Sequence, residues 1–133
     1  KLEHRVVFLS NIHQGYVNAL YQNAELFMLL PQDDQKDIEG FGLVFLEAAA
    51  CGLPVIGTKG TGAEDAILDG RNGFLVPAGE SDGAAEMARI ILSDKKTRES
   101  FTRESLSFAK SMTWEKAARA YAAIYRSAAG ARQ

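Results

Sequence analysis

Two glutamates, Glu39 and Glu47, stand at either end of the segment Gly40-Phe41-Gly42-Leu43-Val44-Phe45-Leu46. Gly40 and Gly42 flank Phe41 where a helix should begin, so backbone N–H groups there can approach a ligand with no Cβ in the way. The start of a helix carries partial positive charge, which suits a diphosphate. At about 1.5 Å per helical residue, the two carboxylates lie on the order of 12 Å apart. A carboxylate pair that shares one glycosidic oxygen spans about 5–10 Å, so these two do not form such a pair. Their spacing suits acceptors that grip hydroxyls at opposite ends of one extended ligand, with a phosphate group between them. Each part also has an ordinary reading, Glu47 as a solvated helix residue and the glycines as loop.

The elements that must hold this segment read as alternating strands and helices. Val6-Val7-Phe8-Leu9 is a β-rich apolar run that stops at Ser10-Asn11 and predicts a buried strand. A helix follows over 15–24, with Val17, Leu20 and Tyr21 at helical spacing, and Leu26-Phe27-Met28-Leu29-Leu30 is a second strand ended by Pro31. A polar, acidic loop over 32–38 leads into a helix over 41–51 that ends at Gly52. Pro54-Val55-Ile56-Gly57 is a third strand, and the glycine-rich turn 57–62 opens a short helix over 63–68. Asn72-Gly73 is a turn before the last strand, Phe74-Leu75-Val76-Pro77. Three helices remain, near 81–93, 95–110 and 113–128, with Ser81 and Thr113 as N-caps. The first of these carries an apolar stripe at Ala84, Met87, Ala88, Ile91 and Leu92. The last carries Trp114, Ala117, Ala118, Tyr121 and Tyr125 on one side, an aromatic stripe that reads as core.

Continuously apolar strands alternating with helices predict the α/β class, a Rossmann-like parallel sheet with helices on both faces. Ligands in such sheets sit at the carboxyl ends of the strands, here the loops 10–15, 31–42, 57–62 and 77–81. The chain has 133 residues, enough for one domain or one piece of a larger protein. Its 15 basic and 17 acidic residues leave a net charge of -2, which provides no basic footprint for nucleic acid. No apolar stretch approaches the roughly 20 residues that span a bilayer, and no signal-peptide pattern opens the chain. The one cysteine, Cys51, excludes an internal disulfide and a Cys-based zinc site, and reads as buried packing at a helix end. The expectation is a soluble, cytoplasmic chain from a reducing compartment.

The full segment from Glu39 to Ile56 closely resembles the Glu–seven residues–Glu signature of the retaining family 4 glycosyltransferases, which have the GT-B fold. The likeness extends through Val7-Phe8-Leu9, Leu20-Tyr21 before Ala24-Glu25-Leu26-Phe27, and Gly52-Leu53-Pro54-Val55-Ile56 before the glycine-rich turn. Asp69-Gly70-Arg71-Asn72-Gly73-Phe74-Leu75-Val76, Thr113-Trp114-Glu115 and Ala122-Ala123-Ile124-Tyr125 follow in order. The resemblance implies the donor-binding part of a hexosyltransferase that moves a sugar from a nucleoside diphosphate to an acceptor. In that family's pattern Glu39 is the catalytic-site glutamate that contacts hydroxyls of the donor sugar, and Glu47 holds the ribose hydroxyls. Backbone amides of Gly40, Phe41, Gly42 and Leu43 would face the sugar and the β-phosphate, and Ile12 and Gln14 would frame the base. No cofactor and no metal is implied, and Asp33-Asp34 lack the Asp-x-Asp spacing of a metal-dependent site.

The chain departs from the family pattern at Ser10 and at Thr61-Gly62, where glycine and a Gly-Gly pair are usual. Its long loop from Pro31 to Glu39 is similar to the phosphatidylinositol mannosyltransferase branch; the donor implied is GDP-mannose or a UDP-sugar. The resemblance also implies a partial C-terminal domain, with 1–80 carrying strands and helices and 81–128 the last helices. The N-terminal acceptor domain and the domain's opening strands would be absent. His4, His13, Lys59 and Arg71 do not match the family's histidine or its basic pair and read as surface residues. Of six strands in the order 3-2-1-4-5-6, the chain would hold 3, 4, 5 and 6. The lost neighbours leave strand edges free, and the first strand would shift beside 26–30 or two chains would share strands by self-association. The last helix crosses to the acceptor domain in this family, so part of the aromatic stripe would be an interdomain surface. The fragment alone would be inactive, the acceptor is unassigned, and the intact enzyme could be peripheral to a membrane. A GT-B sugar-nucleotide epimerase and a non-catalytic Rossmann-like interaction module are the alternatives. A dinucleotide oxidoreductase is weaker, since Gly57-x-x-Gly60-x-Gly62 reverses the usual fingerprint.

Overall fold

Apolar runs bounded by turn residues become the strands. In the computed structural model, which describes residues 2–31 and 40–130, they are β1 (Phe27–Met28), β2 (Val55–Thr58) and β3 (Gly73–Val76). All pair in parallel in the order β1-β2-β3, with Phe27 opposite Val55, and Val55 opposite Gly73. The central strand β2 is buried at every position, which is why it reads as an unbroken apolar run. Among the described residues there are six α-helices: α1 (Gln14–Asn23), α2 (Leu43–Ala50), α3 (Ala63–Ala66), α4 (Ser81–Ser93), α5 (Lys95–Ser111) and α6 (Trp114–Gly130). The α/β class and the order of these elements follow the sequence reading closely.

Successive residues of β2 point to opposite faces and so seed two cores. Val55 packs with Phe45 and Ala48 of α2 and Ala63 and Ala66 of α3. Ile56 packs on the other face with Ala84 and Ile91 of α4 and Phe101 of α5. The predicted α4 stripe is buried at Ala84 and Ile91, partly buried at Met87 and Ala88, and emerges into solvent at Leu92. Ser105 of α5 is fully buried, and its hydroxyl donates to the Leu53 carbonyl at 2.8 Å, tying α5 to the start of β2.

Four expectations are corrected. Residues 6–9 form no strand and do not shift beside 26–30; they follow a short 3-10 turn at Glu3–Arg5 and stand exposed, Phe8 by 94%. A lone apolar run has no ladder without a partner, and the described residues supply none. Ser81 is the first residue of α4 and not its cap; Glu80 holds that position without a side-chain bond. Cys51 is exposed, because α2 ends one residue before it on the rim of a mixed polar cleft shared with Glu25 and Arg98. The aromatic stripe of α6 is not core: Trp114, Tyr121 and Tyr125 are 85%, 64% and 72% exposed. That helix buries no residue fully and rests on local terms, a Thr113 cap on the Lys116 amide at 3.2 Å and a Glu115–Arg119 ion pair.

Asp94 caps α5, accepting from the Lys96 amide at 3.0 Å and the Thr97 hydroxyl at 2.7 Å. The Thr97 hydroxyl and then the Lys96 amide hold its carboxyl below the ordinary value. A depressed folded pKa gives stability that is present above the unfolded value, about 3.9, and lost as pH falls through the folded one. Amide exchange in the first turn of α5, referenced to intrinsic rates, should therefore lose protection on acidification below about pH 4. An Asp94→Ala variant should show the faster exchange already at neutral pH. Equal protection in both proteins would remove the cap from the account.

Candidate functional site

The geometry at the start of α2 is set by one glycine. Gly42 is the N-cap with φ 68° and ψ 49°, the left-handed region that a residue with a Cβ rarely enters. A Cβ at that position would also fall 2.7 Å from Phe45 Cδ2. The Phe45 amide donates to the Gly42 carbonyl at 2.9 Å and closes the first turn. Because α2 connects parallel strands β1 and β2, this N-terminus opens at the carboxyl end of the sheet, where α/β proteins receive ligands. The helix presents its first amides and its positive dipole end there.

The faces of α2 are sorted by burial. Phe45, Ala48 and Ala49 are buried, while Leu43 and Glu47, one helical turn apart, are exposed on a shared face. Glu47 thus offers its carboxylate to solvent one turn above the amides around Gly42. The opposing wall is α1. His13 caps it by accepting from the Gly15 amide at 3.1 Å, and Asn11, at φ 53°, turns the chain into it from residues 6–9. From α1 the Tyr21 hydroxyl donates to Glu47 Oε2 at 3.4 Å. The Tyr21 ring meets Phe27 edge-on at 5.7 Å, and Phe27 meets Phe45 at 5.4 Å. Partial burial, then the neighbouring Glu47 carboxylate, pushes the Tyr21 hydroxyl above its ordinary pKa, so it stays a proton donor at neutral pH.

Of the residues singled out in the sequence, the structure brings Gly40, Phe41, Gly42, Leu43 and Glu47 together at the head of α2. Glu39 and the Asp33-Asp34 pair lie outside the described residues. Ile12 and Gln14 are exposed at the entrance to α1, with Gln14 Nε2 donating to Asn18 Oδ1 at 3.4 Å. Gln14 precedes Tyr21 by seven residues of the same helix, about 10 Å along its axis. The glycine-rich turn after β2 uses its own polar groups: Glu64 accepts from the Gly60 amide at 2.9 Å and the Thr61 hydroxyl from the Ala63 amide at 3.2 Å. Lys59, His4 and His13 are exposed, and Arg71 is paired with Glu104 on the surface, as the sequence predicts for all four.

Two features were not legible beforehand. One is the Tyr21–Glu47 contact; the helical spacing of Tyr21 signals a packed face but not the helix it meets. The other is a cavity of about 350 Å³ beside α2, lined by Phe41, Leu43, Leu46, Trp114 and Ala117. It is almost wholly apolar and so does not suit a charged group.

The family described as glycosyl transferases group 1 matches residues 1–107. The D-inositol 3-phosphate glycosyltransferase of Kribbella flavida is 40% identical over 90 residues, which are 68% of this chain and 21% of that protein. Among solved structures, the sucrose-phosphate synthase of Thermosynechococcus elongatus superposes with a TM-score of 0.78 at 27% identity, covering 98% of this chain and 32% of the other. Anabaena HepE in complex with UDP and glucose superposes with a TM-score of 0.70 at 28% identity, covering 83% and 28%. The chain therefore spans about a fifth to a third of the length of these three proteins. The solved neighbours are GT-B enzymes, so the three-stranded sheet is part of a GT-B architecture.

Proposed function

Because the chain belongs to the glycosyl transferases group 1 family, we propose that it is the donor-binding part of a retaining glycosyltransferase that uses a nucleoside-diphosphate sugar. The observation that carries this reading is the placement of an exposed Glu47 one turn above the glycine-started N-terminus of α2. A carboxylate accepts from both hydroxyls of a ribose, and helix-start amides donate to the oxygens of a diphosphate. Glu47 then holds the ribose, the amides of residues 40–43 hold the β-phosphate, and Ile12 and Gln14 frame the base. Glu39, by its match to the family pattern, takes hydroxyls of the sugar. Solved HepE with UDP and glucose supports a uridine nucleotide, while the length of the segment 31–39 favours GDP-mannose.

In the transfer itself, the bond from the anomeric carbon to the β-phosphate oxygen breaks. A new bond forms to an acceptor oxygen on the same face, and the acceptor's proton passes to the departing phosphate. The residues of this chain hold the leaving group and spread its growing negative charge over preorganised amides. The outer edge of β1 and residues 6–9 are left for the strands that the resemblance places between them.

Calorimetric titration of GDP, UDP and ADP into the protein at its full encoded length tests the reading. One of the three should bind, and Glu47→Ala should weaken it by about 1–3 kcal/mol, the range for a lost charged hydrogen bond. No binding by any of them, or equal binding by the variant, would overturn the assignment.

A further inference from the structure

We propose that Tyr21 is a positioning residue that presets the Glu47 carboxylate for the ribose diol; this rests on the donor-binding reading above. The contacts form a closed circuit. The Tyr21 hydroxyl reaches Glu47 Oε2 at 3.4 Å, the Tyr21 ring stands edge-on to Phe27, and Phe27 stands edge-on to Phe45. Phe45 lies two residues before Glu47 on α2, is fully buried, and so returns the circuit to its start. Both ends of the hydrogen bond are thereby anchored to the same core, through β1 on one side and α2 on the other.

An exposed glutamate samples several rotamers, and a ligand that needs one of them must freeze it on binding. With Oε2 held by the phenol, the carboxylate plane is turned toward one direction, and Oε1 with the remaining lone pairs is free to accept. Tyr21 touches the carboxylate and not the ligand, so it acts through Glu47. The phenol can only donate in this role, and burial with the adjacent carboxylate keeps it protonated.

The test is a Tyr21→Phe variant at full encoded length, which keeps the ring and its contacts and removes only the hydroxyl. The nucleotide that binds among GDP, UDP and ADP is compared with its 2′,3′-dideoxy counterpart, which lacks the diol. The variant should bind the ribonucleotide about three- to tenfold more weakly, bind the dideoxy form as the parent does, and keep its melting temperature. Equal weakening toward both nucleotides would reveal a general structural role and overturn the inference. Unchanged affinity for the ribonucleotide, with Glu47→Ala still weakening it, would overturn the inference and leave the donor-binding reading standing. A Glu47→Ala variant that binds normally would sink the reading and the inference together. Combining Tyr21→Phe with Glu47→Ala should give no further loss beyond Glu47→Ala, since the hydroxyl has nothing left to position.

Discussion

Gly73→Ala is expected to abolish the folded state. A Cβ on Gly73 would stand 1.8 Å from the Val55 carbonyl oxygen and 2.7 Å from its carbonyl carbon, both backbone atoms of the central strand. A flexible side chain could swing away, but β2 has no such freedom. Its register with β3 runs from Val55 opposite Gly73 to Thr58 opposite Val76, and its two faces seed both cores. The turn before Gly73 is pinned as well: Leu68 donates to Asn72 Oδ1 at 2.7 Å, Leu75 to Asp69 Oδ1 at 2.9 Å, and Gly70 to the Gly73 carbonyl at 2.9 Å. Relief therefore requires separating β2 from β3, at a cost above the roughly 1–3 kcal/mol of ordinary overpacking. Circular dichroism and urea unfolding should show no cooperative transition, while Gly40→Ala, with nothing within 4 Å of its Cβ, should unfold like the parent. A parent-like midpoint for Gly73→Ala would mean that β2 and β3 are not paired in this register.

Phe45→Ala should destabilise the chain by about 3–5 kcal/mol, the range for deleting a buried aromatic ring. Domains of this size are stable by only about 5–15 kcal/mol, so most of the margin would go. The ring is fully buried, and its surroundings are shaped to it. A Cβ at Gly42 would meet it at 2.7 Å and one at Gly57 at 3.1 Å, so two glycines on different elements make its room. A cavity there would loosen the head of α2 from β2 and remove the support behind Phe27 and Tyr21. The urea midpoint should fall with an unchanged slope, and nucleotide affinity should fall with it. A stability loss below about 1 kcal/mol would place the ring outside the core.

Much of this molecule is written in local pattern. The apolar runs at 26–30, 54–57 and 74–77, and the helices after them, are legible because β-rich segments between turn residues leave the backbone few other choices. The head of α2 is legible because glycines at a helix start and a carboxylate one turn above are all near in sequence. Residues 6–9 have the same local signature as the other strands, yet they stand exposed, since a strand exists only if another strand accepts its hydrogen bonds. The aromatic stripe of α6 fails for a related reason: helical spacing shows that a face is apolar and says nothing of what covers it. Cys51 fails by one residue, the difference between the last turn of a helix and its rim.

By itself, then, the sequence determined the α/β class, the order of strands and helices from α1 onward, the family, and the glycine-started head of α2, because each depends on residues within a few positions of one another. The tertiary structure alone decided that β2 would be central, that Val55 and Ile56 would serve opposite cores, that Gly73 would be pressed against the Val55 carbonyl, and that Tyr21 would cross 26 residues to reach Glu47. Those facts depend on which distant surfaces meet. Periodicity can mark a face as apolar or polar, but partners are chosen only when the whole chain packs at close to crystalline density around a single register.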